Sequence, residues 1–185
     1  MIKARATEHL TGVTIEGTHD DLYEAVESIH RITNQEEDYK DPFWGVKNRL
    51  LGICYDLRHA YMGDREVRVT DNGVNDEIIK WHSTIMPKQE VRFSVNVLFP
   101  EAVFVALSAP DLYVFSRHHY GKRTKRQEEK AEYPNNKYAD YLKDRAAIDT
   151  LSSAILGALA DVITDVELEK IINSSDARYY SDRFY

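Results

Sequence analysis

Residues 117–126 concentrate positive charge in a chain that is otherwise acidic. The segment reads R-H-H-Y-G-K-R-T-K-R, whereas the whole chain holds 24 Lys and Arg against 31 Asp and Glu, a net charge of −7. Basic side chains neutralise phosphates and flat rings stack on bases, so a local cluster of both predicts a site for a nucleotide or a nucleic acid. The candidate ligand-binding residues are Arg117, His118, His119, Tyr120, Lys122, Arg123, Lys125 and Arg126.

The alternative explanation for this segment is a solvated loop whose charges pair with the glutamates that follow it, Glu128, Glu129 and Glu132. Runs of charge usually lie on solvated surface. The stretch 121–136 is highly charged and aperiodic, which predicts a flexible excursion from the body of the protein. The leading functional prediction is a non-enzymatic binding protein that engages a phosphate-bearing ligand through residues 117–126.

A second polar pattern lies on a predicted helix over residues 46–61. Arg49, Asp56 and His59 fall on one face, and Asp56 precedes His59 by three residues. An aspartate that orients an imidazole prepares a general base or a metal ligand, so a hydrolase is one alternative function. The competing interpretation is a hydrogen-bond and ion-pair network that fixes helix packing. We favour the network and assign no catalytic residue.

The sequence predicts no cofactor and no metal site. Its one cysteine, Cys54, excludes a zinc site with several cysteines. Cys54 also falls on the apolar face of its predicted helix, where a thiol is expected to be inert. The glycine-rich phosphate and dinucleotide motifs, H-E-x-x-H and G-x-S-x-G are all absent from the sequence.

The C-terminal third suggests a third function, that of a protein-interaction or assembly component. Residues 137–163 predict a long amphipathic helix with small residues four apart, at Ser153 and Gly157 and at Ala154 and Ala158. Such a face lets helices approach closely, inside the domain or in a homodimer. The tail adds residue types that dominate interfaces, namely Arg178, Tyr179, Tyr180, Phe184 and Tyr185.

The remaining periodicities predict an α+β fold in a single domain over residues 1–185. Strands are predicted over 10–17, 66–70 and 90–99, and helices over 18–33, 46–61, 100–109 (ended by Pro110), 137–163 and 166–172. Residues 76–84 fit a strand or a helical turn, and the spacing within 111–119 favours a helix. The expected architecture is a small antiparallel sheet packed with three or four helices, including a long C-terminal one.

Composition predicts a cytoplasmic protein. Hydrophobic residues at 43% and charged residues at 30% are typical of a soluble globular domain. The N-terminus lacks the apolar stretch of a secretory signal. The most apolar region, 91–109, is interrupted by Asn96, Pro100 and Glu101, so no membrane span is predicted.

Two segments resemble a family of small bacterial proteins of unknown function. They are L-T-G-V-T-I-E-G at 10–17 and G-I-C-Y-D-L-R-H-A-Y-M-G-D-R at 52–65. The resemblance covers roughly residues 10–100. It implies a bacterial or phage-like cytosolic setting, and it brings no activity and no site residue to this chain.

Overall fold

The structure is a computed structural model that describes residues 1–33, 41–121, 129 and 136–174. The strands are β1 (Lys3–Ala6), β2 (Gly12–Gly17), β3 (Glu66–Asp71) and β4 (Gln89–Leu98). The helices are α1 (His19–Thr33), α2 (Trp44–His59), α3 (Asp76–His82), α4 (Phe99–Gly121), α5 (Lys137–Ala160) and α6 (Asp165–Ser174). A π-helical turn, Ala60–Asp64, follows α2 directly.

The four strands form one antiparallel sheet in the order β1-β2-β4-β3. The strand β4 is staggered between its neighbours. Its C-terminal half pairs with β2, from Gly12↔Leu98 to Gly17↔Phe93, and its N-terminal half pairs with β3, from Glu66↔Ser94 to Asp71↔Gln89. The expected small antiparallel sheet is therefore confirmed.

Four helices supply the hydrophobic core. The buried strand residues Val13, Ile15, Val95 and Val97 belong to one cluster with buried side chains of α1, α2, α4 and α5. The largest fully buried helix side chains are Leu22, Val26, Ile29, Ile32, Leu50, Ile53, Leu57, Ile148, Leu151 and Ile155. Their spacing of three and four residues is the apolar stripe of a helix that packs on one side. The α+β prediction with three or four packed helices is confirmed.

The prediction that Pro110 ends a helix was wrong, because α4 continues through it to Gly121. An interior proline removes one backbone hydrogen bond and costs about 3 kcal/mol. Here Ala106 and Ala109 before it and Leu112 and Tyr113 after it are all buried in the same core. Packing on both sides of the proline thus outweighs the local penalty.

Two stretches whose structure the sequence left open are helical. Residues 76–82 form a helix, which Asn75 caps by accepting a hydrogen bond from the Ile78 amide at 2.9 Å. Residues 111–119 are helical, as favoured. Gly63 adopts the left-handed conformation (φ 87°) where a glycine was expected to end the second helix.

The acidic loop 34–40, most of the predicted charged excursion (122–128 and 130–135) and the tail 175–185 lie outside the described residues. Within the described ranges, none of the helices combines the length and the apolar character that a bilayer crossing requires.

Gly12 is required by the close approach of two central strands, which gives a first testable prediction. A Cβ at Gly12 would lie 2.1 Å from the Val97 carbonyl oxygen, and that backbone is held by the sheet. We expect Gly12→Ala to lower the free energy of unfolding by about 3 kcal/mol, the upper range for overpacking.

The matched control is Gly157→Ala in α5, where a Cβ meets nothing within 4 Å. Alanine there should stabilise the helix by about 0.5–1 kcal/mol. Urea unfolding followed by circular dichroism measures both changes. Equal midpoints for Gly12→Ala and the wild-type chain would contradict the prediction.

Candidate functional site

The basic segment begins at the end of α4, where Tyr120 turns inward. Tyr120 is only 6% exposed, and its hydroxyl donates a hydrogen bond to Asp144 Oδ2 at 2.6 Å. It therefore does not offer the exposed ring that stacking on a base requires. Arg117, one turn earlier, is exposed. The side chains of His118 and His119, and all of Lys122, Arg123, Lys125 and Arg126, lie outside the described part of the chain.

Asp144 is the centre of a buried polar cluster that joins three helices. Its carboxylate is 1% exposed. It accepts hydrogen bonds from Ser28 Oγ at 3.1 Å, from Arg31 Nε at 2.8 and 2.9 Å, and from Arg31 Nη2 at 2.6 Å. Tyr120 completes the set from α4. The bidentate arginine and the two hydroxyls use the acceptor capacity of a carboxylate fully.

The electrostatics of this cluster favour a fixed ion pair. Burial and the adjacent Asp144 charge raise the pKa of Tyr120, which keeps its phenol protonated as a donor. Burial by itself would lower the pKa of Arg31, but the hydrogen bonds and charge of Asp144 outweigh burial and raise it. Neither donor changes its protonation state near neutral pH. The cluster therefore holds helices together and does not transfer protons.

Sequence reasoning missed Asp144, although one signal was available. The buried residues Ile148, Leu151 and Ile155 of α5 recur at intervals of three and four, and Asp144 lies a further four residues before Ile148. A carboxylate in a core position of a helix needs a buried partner. The sequence did not identify that partner, because Arg31 lies 113 residues away.

The predicted polar stripe on α2 does not assemble into one site. His59 Nδ1 lies 2.8 Å from Asp64 Oδ2, and Asp56 Oδ1 accepts a hydrogen bond from Arg65 Nη2 at 3.3 Å. The π-helical turn and the left-handed Gly63 carry the chain back beside α2, which places these two partners there. The proposed pairing of Asp56 with His59 is replaced by two separate contacts.

Arg49, the third residue of the stripe, has a packing role. Its guanidinium carbon lies 4.0 Å from the centre of the Phe104 ring, a cation–π contact between α2 and α4. The thiol of Cys54 is buried, and burial raises its pKa to about 12, so it stays a neutral thiol. Among the described residues, no cluster of His, Cys, Asp and Glu could hold a metal ion.

A cavity of about 510 Å³ lies beside Asp56, at the end of β3 where Glu66 pairs with Ser94 of β4. Its lining comprises Asp56, Arg65, Glu66, Ser94, Val95 and Asn96. Asn96 is engaged, because its side-chain oxygen accepts a hydrogen bond from Thr14 Oγ1 at 2.7 Å. His59 is not part of the lining. The cavity thus brings Asp56 together with Arg65, Glu66 and Asn96, and it does not join Asp56 to an imidazole.

The connection between β3 and β4 (residues 72–88) exposes large apolar side chains, and we call it the apolar projection. Trp81 is 85% exposed and Ile85 is 99% exposed, with Ile78 and Met86 also at the surface. Its helix α3 contributes no buried residue to the core. Next to it, Val67 and Val69 of β3 and Val91 of β4 are exposed as well. Sequence reasoning left residues 76–84 ambiguous and did not identify this surface.

The small-residue face of α5 is divided between the core and the surface. Ala158 is buried in the core, whereas Ser153 and Gly157 are exposed. Part of that face is therefore used inside the domain. The tail that was expected to act with it lies outside the described residues.

The fold and these contacts define an α+β protein in which a four-stranded antiparallel sheet is partly covered by helices. The chain belongs to the family described as Domain of unknown function (DUF6904), which matches residues 2–185. The match extends well beyond the roughly 10–100 covered by the resemblance. Comparison with curated proteins and with solved structures found no match in either set.

Removal of the Asp144 charge tests the importance of the buried cluster. Loss of one partner from a buried ion pair costs about 3–5 kcal/mol, and because Arg31 is 38% exposed we expect a smaller loss of about 2–3 kcal/mol for Asp144→Asn. Thermal and urea unfolding measure this loss.

The control for this prediction is Asp149→Asn on the same helix. Asp149 pairs with Arg145 at 3.2 Å on the surface, where such a contact contributes about 0.5 kcal/mol or less. Losses of the same size in both variants would show that the buried cluster has no special weight.

Proposed function

We propose that this protein is a non-enzymatic binding protein that associates with other polypeptide chains through its apolar projection. The observation that carries the proposal is the near-complete exposure of Trp81, on a helix that contributes nothing to the core, and of Ile85 just beyond the end of that helix. A seven-residue helix is too short to be stable by its own hydrogen bonds. Contact with a second surface would stabilise it and cover its apolar side chains.

The chemistry of the projection suits a protein partner. Tryptophan is enriched among the residues that contribute most to protein–protein affinity. The surrounding apolar residues of β3 and β4 extend the patch beyond scattered single exposures. In contrast, the residues that suggested a hydrolase are held by separate contacts, Asp56 by Arg65 and His59 by Asp64. These contacts support a binding role over a hydrolytic one.

The partner that we propose is a second copy of the same chain. The projection adjoins the edge strand β3, where Glu66 and Arg68 carry opposite charges two residues apart. A surface that carries both charges can complement itself across a two-fold axis, as homodimers require. The proposed setting is the cytoplasm of a bacterium, where Cys54 would remain a free thiol.

Sedimentation equilibrium tests this proposal. We expect concentration-dependent self-association of the wild-type chain, and a dissociation constant about 10-fold higher or more for Trp81→Ala combined with Ile85→Ser, because the apolar contacts are lost. Both residues lie outside the core, so the fold should survive.

The matched control is Val114→Ser, at an apolar residue on α4 that is 64% exposed and lies away from the projection. This variant should associate like the wild-type chain. A wild-type chain that stays monomeric up to about 200 µM would contradict the proposal, as would a double variant that associates normally.

A second candidate function is the binding of a phosphate-bearing ligand, a nucleotide or a nucleic acid, through residues 117–126. It is favoured by the local reversal of charge in a chain with a net charge of −7. The hydrogen bond from Tyr120 to Asp144 supports it further, since it anchors the start of the segment to the core. Arg117 is exposed beside that anchor. Tyr120 itself is left with a structural role.

Fluorescence anisotropy with a labelled single-stranded oligonucleotide and a labelled nucleotide tests this candidate. We expect the triple change of Arg123, Lys125 and Arg126 to Ala to weaken binding at least 10-fold and to reduce its salt dependence, because fewer phosphate contacts release fewer counterions. A control triple change of the exposed Lys3, Lys80 and Lys170 to Ala removes the same charge elsewhere. Absence of binding at low salt, or equal effects of both triple changes, would dismiss this candidate.

A further inference from the structure

We propose that two copies of this chain join by antiparallel pairing of β3 with β3 around Val67, so that their two four-stranded sheets become one continuous sheet. The inference rests on the self-association proposed above and specifies the surface and the register. It assigns a pairing role to Glu66 and Arg68.

The outer edge of β3 is open to pairing. Within the described residues, β3 pairs with β4 alone, and five of its six residues are exposed. An edge strand presents a row of backbone donors and acceptors that another strand can pair with. The opposite edge strand, β1, has four residues and lies against α5. Pairing of β3 with β3 uses the same edge of both copies, so the contact closes on itself as a dimer.

The charges on β3 suit a second copy of the same strand. Glu66 and Arg68 point to the same face of β3, and neither forms an ion pair with another described residue. The residue beside Arg68 on β4 is Arg92, whose guanidinium is taken by Glu90 at 2.7 Å. The neighbour of Arg68 on β4 therefore offers it no acidic partner. An acidic residue on a strand paired with the open edge of β3 would compensate the charge of Arg68.

The same charges select one register for the pairing of two β3 strands. When a strand pairs with its own copy across a two-fold axis, one residue lies opposite itself and its neighbours pair symmetrically. Centring on Arg68 opposes two arginines, and centring on Val69 places Arg68 opposite the partner's Thr70. Centring on Glu66 opposes two carboxylates. Only the register centred on Val67 places Glu66 opposite the partner's Arg68. By symmetry it also places Arg68 opposite the partner's Glu66.

This register also gives the apolar residues a partner. It sets Val67 against the partner's Val67 and Val69 against the stem of the partner's Arg65. The chain beyond Asp71 then runs beside the partner's π-helical turn, whose Met62 is exposed. The apolar projection is thereby brought to that turn. A short ladder by itself buries less than the roughly 1,000 Å² that a stable interface needs, so the projection must contribute.

Charge reversal tests the register directly. In a dimer of Glu66→Arg, two arginines of each copy would lie opposite two arginines of the other. In a dimer of Arg68→Glu, two carboxylates of each copy would lie opposite two carboxylates of the other. Each variant alone should self-associate at least 10-fold more weakly than the wild-type chain, because like charges directly opposite each other destabilise a ladder. An equimolar mixture of the two should form a heterodimer. The double variant E66R/R68E should associate like the wild-type chain.

Sedimentation velocity measures the assembly state, and circular dichroism checks that the fold is intact. Glu66 and Arg68 are exposed, so their substitution should leave the fold unchanged. Lys3→Glu, on the opposite edge strand, is the control for a change of charge on a strand and should leave association unchanged. Single variants that associate normally, or a mixture that stays monomeric, would overturn the inference.

The outcomes also separate this inference from the proposed function. A dimer that responds to Trp81→Ala with Ile85→Ser but ignores charge reversal at Glu66 and Arg68 would preserve self-association through the projection and refute the β3 pairing. A wild-type chain that is monomeric at about 200 µM would refute both.

Discussion

The buried carboxylate of Asp144 is the interaction on which the arrangement of the helices depends. Removing a carboxylate from water costs several kcal/mol unless hydrogen bonds and an opposite charge replace the solvent. Arg31, Ser28 and Tyr120 provide that replacement from α1 and α4, with distances of 2.6 to 3.1 Å. Apolar packing alone would tolerate small shifts of these helices, whereas the directional contacts fix where α1, α4 and α5 meet. They also fix the two helix ends, near Gly121 and Lys137, between which the charged stretch runs.

The stagger of β4 divides the sheet into a covered half and an open half. Where β4 pairs with β2, Val95 and Val97 are buried under the helices. Where it pairs with β3, Val91 is exposed, and so are Val67 and Val69 on the neighbouring strand. One end of β4 therefore packs into the hydrophobic core, and its other end belongs to an exposed apolar surface. The helical layer simply does not extend over β3.

The sequence predicted those strands and helices in which the buried residues recur at a regular spacing. Val95 and Val97 alternate along β4, and Leu50, Ile53 and Leu57 recur along α2, because each set faces the core. Periodicity did not predict which side chains form hydrogen bonds or ion pairs with one another. It placed Asp56 and His59 on one helix face, but the turn at Gly63 supplied nearer partners for both. It also placed Tyr120 in a basic cluster, although a carboxylate 24 residues away draws its hydroxyl inward. Local propensity likewise misjudged Pro110, where packing on both sides decided the outcome.

The chemistry of β3 distinguishes it from an edge that is protected against pairing. Protected edges carry proline, bulges, charged side chains such as lysine, or a covering helix. The strand β3 contains no proline, pairs with β4 in regular register along its whole length, and lies outside the helical layer. Its two charges at Glu66 and Arg68 have opposite signs, so a second copy is attracted in one register and repelled in its neighbours. A strand that only needed to stay soluble would be safer with lysine at both positions. The alternation of sign favours one symmetric partner over nonspecific association, and this selectivity is what a defined dimer requires.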